Sequence, residues 1–173
     1  MPIRFNLQDY KNQIFIETGT YKGKGVQKAL DVGFEKVISI EIDKERYLNC
    51  KKLFANEKKV ELYLGDTQDL LPKILSKYTD NTITFWLDAH EGKKSKKSCP
   101  LYEELEAISK HPIKNHIIAI DDIRLIKDKH AWQGHSVTID GLKKKILQIN
   151  SKYNFCFKDG IIENDVLISY VKT

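Results

Sequence analysis

The sequence predicts an α/β fold in which a doubly wound, mostly parallel sheet of about seven strands, one of them antiparallel, carries helices on both faces. Short apolar runs alternate with amphipathic helical stretches along the whole chain, which is the pattern of βαβ units. The last two apolar runs are joined by only seven residues, 159–165. That connection is too short for a parallel crossover, so these two strands must be antiparallel neighbours.

Each element follows from its own residues. The predicted strands comprise residues 13–17, 37–41, 60–64, 83–87, 116–120, 153–158 and 166–171. The predicted helices comprise residues 24–32, 44–56, a stretch after Thr67 that carries Leu70, Leu71, Ile74 and Leu75, residues 100–110 and residues 141–149. Gly33 ends the first helix and Asp43 caps the second, which is expected to bury Tyr47, Leu48 and Phe54. Residues 123–138 are predicted to be irregular.

Composition limits the class of protein. The chain has 173 residues, of which 41% are hydrophobic and 31% charged, as in one soluble globular domain over residues 1–173. It has no apolar run of the ~20 residues that span a bilayer and no signal-peptide pattern, so a cytoplasmic location is expected. Cys50, Cys99 and Cys156 lack metal-ligand spacing and are expected to be reduced thiols. The net charge of +5 permits an acidic substrate and does not indicate nucleic-acid binding.

Acidic residues follow five consecutive predicted strands. They are Glu17, Glu41, Asp66, Asp88 and the pair Asp121 and Asp122. Ligands of open α/β sheets bind outside the carboxyl ends of the strands. Core packing gives no reason for this regularity, because carboxylates are seldom buried unless they are paired. The sequence therefore predicts a ligand site at this edge of the sheet.

A glycine-rich loop joins the first strand to the first helix. Gly19, Gly23 and Gly25 would let a ligand approach the backbone closely. A loop built for pyrophosphate would leave its helix N-terminus open to anions, whereas Glu17 and Glu41 place two acids there. The loop alone is typical of nucleotide sites in general, but with these acids it favours a cofactor with hydroxyls and a positive charge and no phosphate. S-adenosylmethionine fits that description.

Five segments then carry a more specific likeness. They are Ile16 to Gly23 with the sequence IETGTYKG, 39–43 with SIEID, 65–72 with GDTQDLLP, 87–90 with LDAH and 120–122 with IDD. In this order, each at a strand end, they resemble the class I S-adenosylmethionine-dependent methyltransferases, within them the catechol O-methyltransferase-like group, over about residues 14–125. Tyr21 replaces the usual middle glycine. A Rossmann-like fold is implied.

The resemblance implies roles for individual residues in cofactor binding. Glu17, Gly19 and Tyr21 would line the methionine part, Glu41 would accept hydrogen bonds from the ribose hydroxyls, and Asp66 would read the adenine amino group. The complete implied set is Glu17, Gly19, Thr20, Tyr21, Gly23, Gly25, Glu41, Ile42, Asp66, Thr67 and Asp88.

The resemblance also implies a metal and a base. Asp88, Asp121 and Asp122 match the positions that hold Mg²⁺ or a similar divalent cation in the metal-dependent members, where the cation lowers the pKa of the acceptor hydroxyl. Asp121 and Asp122 could equally be a helix cap without metal. The family's catalytic lysine is displaced here, so His90 is the predicted general base because of its pKa range, with Lys93 second. His90 could instead orient Asp88.

The resulting expectation is an O-methyltransferase for a small-molecule or glycan acceptor. The first strand begins within about a dozen residues, which leaves no room for the family's preceding helices, so an open acceptor site is expected from residues 91–100, residues 123–138 or a homodimer partner. Such a site suits a sugar hydroxyl. The four lysines of 93–97 favour an acidic acceptor or are simply solvated. Trp132, His130 and His135 are expected to shape the pocket, unless Trp132 packs in the core.

Two alternatives stay open at this point. One is a metal-independent N- or nucleic-acid methyltransferase of the same fold. The other is an NAD-dependent oxidoreductase or nucleotide-binding module, against which Tyr21 counts, because it interrupts the Gly-x-Gly-x-x-Gly pattern.

Overall fold

All seven predicted strands form and join one sheet. In the computed structural model, residues 3–89, 99–128 and 136–172 are described. The strands are β1 (Ile14–Thr18), β2 (Lys36–Glu41), β3 (Val60–Leu64), β4 (Ile83–Leu87), β5 (Ile117–Ile120), β6 (Tyr153–Lys158) and β7 (Val166–Val171). Their order is β3-β2-β1-β4-β5-β7-β6. Of these seven strands, β7 runs in the direction opposite to the other six, which confirms the predicted doubly wound sheet with one reversed strand.

The strand order places a crevice between β1 and β4. From β1 the chain builds the sheet outward through β2 and β3, and it then returns to add β4 and β5 on the other side. Glu17 is the register partner of Ser39 on β2, and Thr18 is the partner of Leu87 on β4. The acidic strand ends therefore meet where the direction of winding reverses, which is the position at which ligands bind to such sheets.

Six helices surround the sheet within the described residues. They are α1 (Lys24–Val32), α2 (Lys44–Leu53), α3 (Thr67–Leu75), α4 (Leu101–Ser109), α5 (Ile123–Lys127) and α6 (Ile139–Ile149), and a 3-10 helix at Leu7–Tyr10 precedes β1. As predicted, Gly33 ends α1 in a left-handed conformation and the Asp43 carboxylate caps α2. The segment predicted to be irregular instead begins with α5. None of these helices combines the length and apolar character needed to cross a membrane.

The core consists of two apolar layers, one on each face of the sheet. One layer packs Phe15 and Trp86 against α1, α2 and the 3-10 helix. The other packs Ile16, Leu71 and Leu142 among α3, α4 and α6. Burial of a large apolar side chain contributes roughly 1.5–3 kcal/mol. The prediction of helices on both faces is confirmed.

The buried face of α2 differs from the predicted one. Cys50 and Phe54 are 2% and 5% exposed, whereas Leu48 is 45% exposed. Cys50 and Phe54 are four residues apart and share a helix face, while Leu48 lies about 200° around the axis from Cys50. The prediction that Leu48 is buried is therefore wrong. The helix also ends at Leu53 and not at residue 56.

Two buried histidines connect elements at the amino ends of the parallel strands, opposite the acidic strand ends. The Ile83 N–H donates to Nδ1 of His116 at 3.1 Å, so the proton of that ring is on Nε2. This Nε2 lies 3.0 Å from Nδ1 of His111, which also accepts from the Ile113 N–H at 3.1 Å. The remaining His111 nitrogen, Nε2, is 3.0 Å from the Tyr78 carbonyl. Every ring nitrogen is thus used, provided that both imidazoles are neutral.

This arrangement makes the stability of the fold sensitive to acid. His116 is fully buried, and burial, with His111 nearby, lowers its pKa from 6.5 to about 3. The unfolded chain therefore binds an additional proton between these two values, and the free energy of unfolding falls as the pH drops through that window. His116→Gln stays neutral throughout. The variant should have a lower free energy of unfolding than wild type at about pH 7. In urea unfolding, this deficit should shrink by about 2 kcal/mol at about pH 5, because only wild type is destabilised by the acid. A deficit that stays constant would mean that the pKa of His116 is the same in the folded and the unfolded chain.

Candidate functional site

A cavity of about 460 Å³ lies at the carboxyl ends of β1 to β4. It gathers ten of the eleven residues predicted to bind the cofactor: Glu17, Gly19, Thr20, Tyr21, Gly25, Glu41, Ile42, Asp66, Thr67 and Asp88. Gly23 is the exception, since it caps α1 and lies against the Phe54 ring. Residues that are distant in the sequence thus converge on one hollow.

The β1–α1 loop forms the floor of the cavity. Gly19 has φ of +88°, and a Cβ there would lie 2.6 Å from the Asp88 carbonyl oxygen, so the loop can cross the end of β4 only without a side chain. Tyr21 also adopts a left-handed conformation, with φ of +48°. The Arg46 guanidinium lies 4.7 Å from its ring centroid, which places a cation over an aromatic face at the cavity rim.

Glu17 is buried beneath this loop. Its carboxylate accepts a hydrogen bond from the Ser39 hydroxyl at 2.8 Å, and Ser39 is 2.6 Å from the hydroxyl of Thr20. A Cβ at Gly25 would lie 1.8 Å from Glu17 Oε1, so glycine in the first turn of α1 is what makes room for the carboxyl group. Burial raises the pKa of Glu17 to about 8, and Asp88 adds to the rise.

Glu41 is held in one orientation by backbone donors. Its Oε2 accepts from the Tyr21 N–H at 2.7 Å and its Oε1 from the Asp43 N–H at 2.9 Å, and the residue is 4% exposed. Each carboxylate oxygen has a further lone pair. The group can therefore accept two more hydrogen bonds from a ligand without rearranging.

Asp66, Thr67 and Ile42 form the wall beside β2 and β3. Asp66 Oδ1 accepts from the Gln68 N–H at 2.9 Å and caps α3. The N-terminal end of this helix stabilises the negative charge of Asp66. The residue predicted to read adenine therefore also has a structural role.

The opposite wall is formed by the ends of β4 and β5. Asp88, Ala89 and Asp122 line the cavity, whereas Asp121 does not. Asp121 is 2% exposed and accepts the Asp122 N–H at 2.8 Å. Burial raises the pKa of Asp121 to about 7, with contributions from Asp88 and Asp122. The three predicted metal ligands are thus near neighbours with different exposure.

Sequence reasoning missed two residues here: Arg124, which lines the cavity, and Asp165, which is buried behind this wall. Nη1 of Arg124 donates to Asp122 Oδ1 at 2.6 Å and also to Asp165 Oδ2. Oxygen atoms of Asp121, Asp122 and Asp165 lie within 4.8 Å of one another, so this trio contains Asp165 where the prediction had Asp88. Asp165 precedes β7, and because β7 runs antiparallel to β5 its first residues lie at the acidic edge.

The remaining predicted residues cannot be compared with the structure. His90 and Lys93, the candidates for the general base, lie outside the described residues. The same is true of Trp132, His130 and His135.

The fold has close counterparts among solved structures. The O-methyltransferase TomG from Streptomyces achromogenes, involved in tomaymycin synthesis and solved in complex with SAM, is 13% identical, with 96% of this chain and 76% of that chain covered and a TM-score of 0.64. An O-methyltransferase from Bacillus cereus in complex with SAH is 15% identical, with 96% and 77% covered and a TM-score of 0.64. The methyltransferase domain of bacterial CtHen1 is 11% identical, with 96% and 93% covered and a TM-score of 0.57.

These likenesses show the class I methyltransferase fold that the sequence resemblance implies, in structures that include O-methyltransferases. No protein-family model matches the chain. No curated protein matches it either.

The buried carboxyl group of Glu17 predicts a second pH effect, opposite in direction to that of His116. Since the pKa of Glu17 is about 8 in the folded chain and 4.5 in the unfolded chain, the folded state binds more protons between these values and stability falls as the pH rises. Glu17→Gln should gain about 3 kcal/mol of unfolding free energy relative to wild type from about pH 5.5 to about pH 8 in urea unfolding. Glu57→Gln, at an exposed position, is the control. A gain that does not vary with pH would show that Glu17 is ionised when folded.

Proposed function

We propose that this chain is an S-adenosylmethionine-dependent methyltransferase that transfers a methyl group to an oxygen atom. One observation carries the proposal. At the point where the winding of the sheet reverses, a cavity of about 460 Å³ is lined by Glu17, Gly19, Glu41, Asp66 and Asp88, each from the strand end where the methyltransferase resemblance expects it. The volume suits a cofactor of this size.

The β2 and β3 side of the cavity would take the adenosine. Glu41 is already oriented by two backbone N–H groups, and its remaining lone pairs can accept both ribose hydroxyls. Asp66 and Thr67 lie beyond it at the start of α3, where Asp66 can accept a hydrogen bond from the adenine amino group. Ile42 would cover an apolar face of the nucleoside.

The floor would take the methionine part. Its buried residue, Glu17, is a carboxyl group whose ionised form a bound cation would favour, whereas the cavity-lining Lys22 and Lys24 near the start of α1 are exposed. An acidic interior with a basic rim matches a ligand that carries both a cationic centre and a terminal carboxylate. When bound, S-adenosylmethionine supplies an electrophilic methyl group on a sulfonium. A pyrophosphate would lie against Glu17 and Glu41, which counts against NAD.

The chain's own part in the reaction is to place the acceptor and remove its proton. Asp88, Ala89, Asp122 and Ile161 line the side of the cavity that the proposed cofactor leaves open. Positioning of this kind supplies much of the rate in a bimolecular reaction. His90, two residues after Asp88, remains the proposed base, with Lys93 second.

The divalent cation implied by the resemblance is tested by the contacts of Arg124. Of the implied ligands Asp88, Asp121 and Asp122, the last two have oxygens close to one of Asp165, and these three carboxylates are a suitable donor set for Mg²⁺. Two of them, Asp122 and Asp165, are already paired with the guanidinium of Arg124. The residues do not fit a divalent cation while this pairing persists, so no step of the proposed reaction uses one.

Loss of the ribose contact is the direct test of the cofactor site. Glu41→Ala removes the carboxylate that is proposed to accept both hydroxyls. It should weaken binding of S-adenosylhomocysteine more than tenfold, equal to ~1.4 kcal/mol or more, in isothermal titration calorimetry. Glu57→Ala, with an exposed carboxylate, should bind as wild type does. Equal affinities of the Glu41 variant and wild type for S-adenosylhomocysteine would contradict the proposed site. Tighter binding of NAD than of S-adenosylhomocysteine by wild type would also contradict it.

The acceptor is the finer part of the proposal. We infer a sugar or glycan hydroxyl, because the open wall of the cavity is polar and acidic. The Arg124 pairing also favours a second candidate, metal-independent methylation of an amine, since the lone pair of a neutral amine can attack the methyl group without activation by a metal. Radiolabelled methyl transfer should be measured on a panel of glycans, amines and catechols. Transfer to glycans is expected. Transfer to amines would select the second candidate, and transfer to catechols alone would refute both.

A further inference from the structure

The carboxylate cluster of Asp121, Asp122 and Asp165 already contains a cation from its own chain. Asp122 and Asp165 have side chains that are 3% and 0% exposed, and the Arg124 side chain is 23% exposed. Buried carboxylates at such short separations repel each other strongly unless a positive charge lies between them. Here one guanidinium nitrogen, Nη1, is shared by both acids.

The position of Arg124 is fixed by more than its ion pairs. Its backbone N–H donates to Asp165 Oδ1 at 3.0 Å, while the Ile123 N–H donates to the Asp165 carbonyl at 2.9 Å. The Ile161 N–H donates to Asp165 Oδ2 at 3.2 Å. Asp165 therefore ties the first turn of α5 to the β6–β7 connection, and the guanidinium is built into this junction.

A divalent cation would need carboxylates that Arg124 already pairs with. Mg²⁺ binds carboxylate oxygens at about 2.0–2.1 Å in octahedral geometry. Asp122 and Asp165 each have one oxygen, Oδ1 and Oδ2 respectively, that accepts a hydrogen bond from Nη1. An ion there would lie against a like-charged guanidinium, so the ion and Arg124 compete for one place.

We propose that Arg124 is the resident cation of this cluster, that it excludes divalent metal from the wild-type protein, and that removal of its guanidinium turns the cluster into a divalent-cation site. Metal independence of methyl transfer follows, and that part rests on the proposed function. The competition for the cluster does not, because it concerns only these four side chains.

Titration with Mn²⁺, followed by the electron paramagnetic resonance signal of the free ion, tests the proposal without any activity measurement. The wild-type chain should show no saturable binding. Arg124→Met should bind one Mn²⁺ with an affinity at least tenfold higher than wild type, and Mn²⁺ should raise its thermal unfolding temperature. Arg124→Gln serves as a second neutral variant in case the first does not fold.

Two variants act as matched controls. Arg46→Met makes the same change at another arginine of the cavity and should gain no Mn²⁺ site. The double variant Arg124→Met with Asp165→Asn should lose the site gained by Arg124→Met. A folded Arg124 variant without Mn²⁺ binding would overturn the proposal, as would a wild-type Mn²⁺ site that Asp165→Asn removes. If neither Arg124 variant folds, a wild-type Mn²⁺ site that Asp165→Asn removes remains the result that overturns the proposal.

The same preparations separate this proposal from the proposed function. Binding of S-adenosylhomocysteine, measured by calorimetry on the wild-type chain, reports the cofactor site and is independent of the Mn²⁺ result. Failure of cofactor binding with the expected Mn²⁺ pattern would reject the methyltransferase and retain the role of Arg124. Cofactor binding together with a Mn²⁺ result that contradicts the expectation would retain the methyltransferase and reject the role of Arg124.

Discussion

Mutual repulsion among carboxylates at one edge of the sheet is the constraint that the site has to meet. Five of these acids are stabilised in four different ways. Glu17 is buried with a raised pKa and a hydroxyl donor, Glu41 is bonded by two backbone N–H groups, and Asp66 caps a helix. Asp122 and Asp165 share a guanidinium. Because these solutions come from backbone, helix and side chain, they tie the cavity to every layer of the fold.

The topology was predictable because local signals and global layout agree. Apolar runs, caps at Asp43 and Gly33, and a short last connection are all visible in the sequence, and each has its predicted role in the structure. The face of α2 was not predictable in the same way. Leu48 is apolar yet exposed, because α2 packs near the edge strand β3 and the adjacent layer is filled by Cys50 and Phe54. Tertiary packing, not periodicity, decides which apolar residue faces inward.

The residues of the candidate site also include some that the sequence predicts and some that only tertiary structure brings together. Residues that follow parallel strands were predictable, since parallel strands bring their carboxyl ends to one edge wherever they are in the chain. Asp165 was not, because it lies before a strand, and only the antiparallel pairing of β7 with β5 brings it to that edge. The place of Arg124 was not predictable for the same reason, because the Asp165 carboxylate accepts hydrogen bonds from its backbone N–H and from its guanidinium. Gly25 was expected to admit a ligand, whereas in the structure the space beside it is taken by the buried carboxyl group of Glu17.

Replacing a metal by a guanidinium changes what this edge of the site can contribute to the proposed reaction. A bound divalent ion can lower the pKa of a coordinated hydroxyl, whereas a guanidinium already paired with two carboxylates has a single, largely neutralised charge. Activation of the acceptor would then fall to a positioned base.

The methyl donor of the proposed reaction allows methyl transfer without a metal, because a sulfonium methyl group is already a strong electrophile. Alignment of the acceptor, more than its ionisation, is then the main requirement. Arg124 contributes to alignment through structure, since the residue that holds it, Asp165, also bonds the backbone of Ile161 on the cavity wall. The ion pair therefore links charge balance at the acidic edge to the shape of the surface that an acceptor would meet.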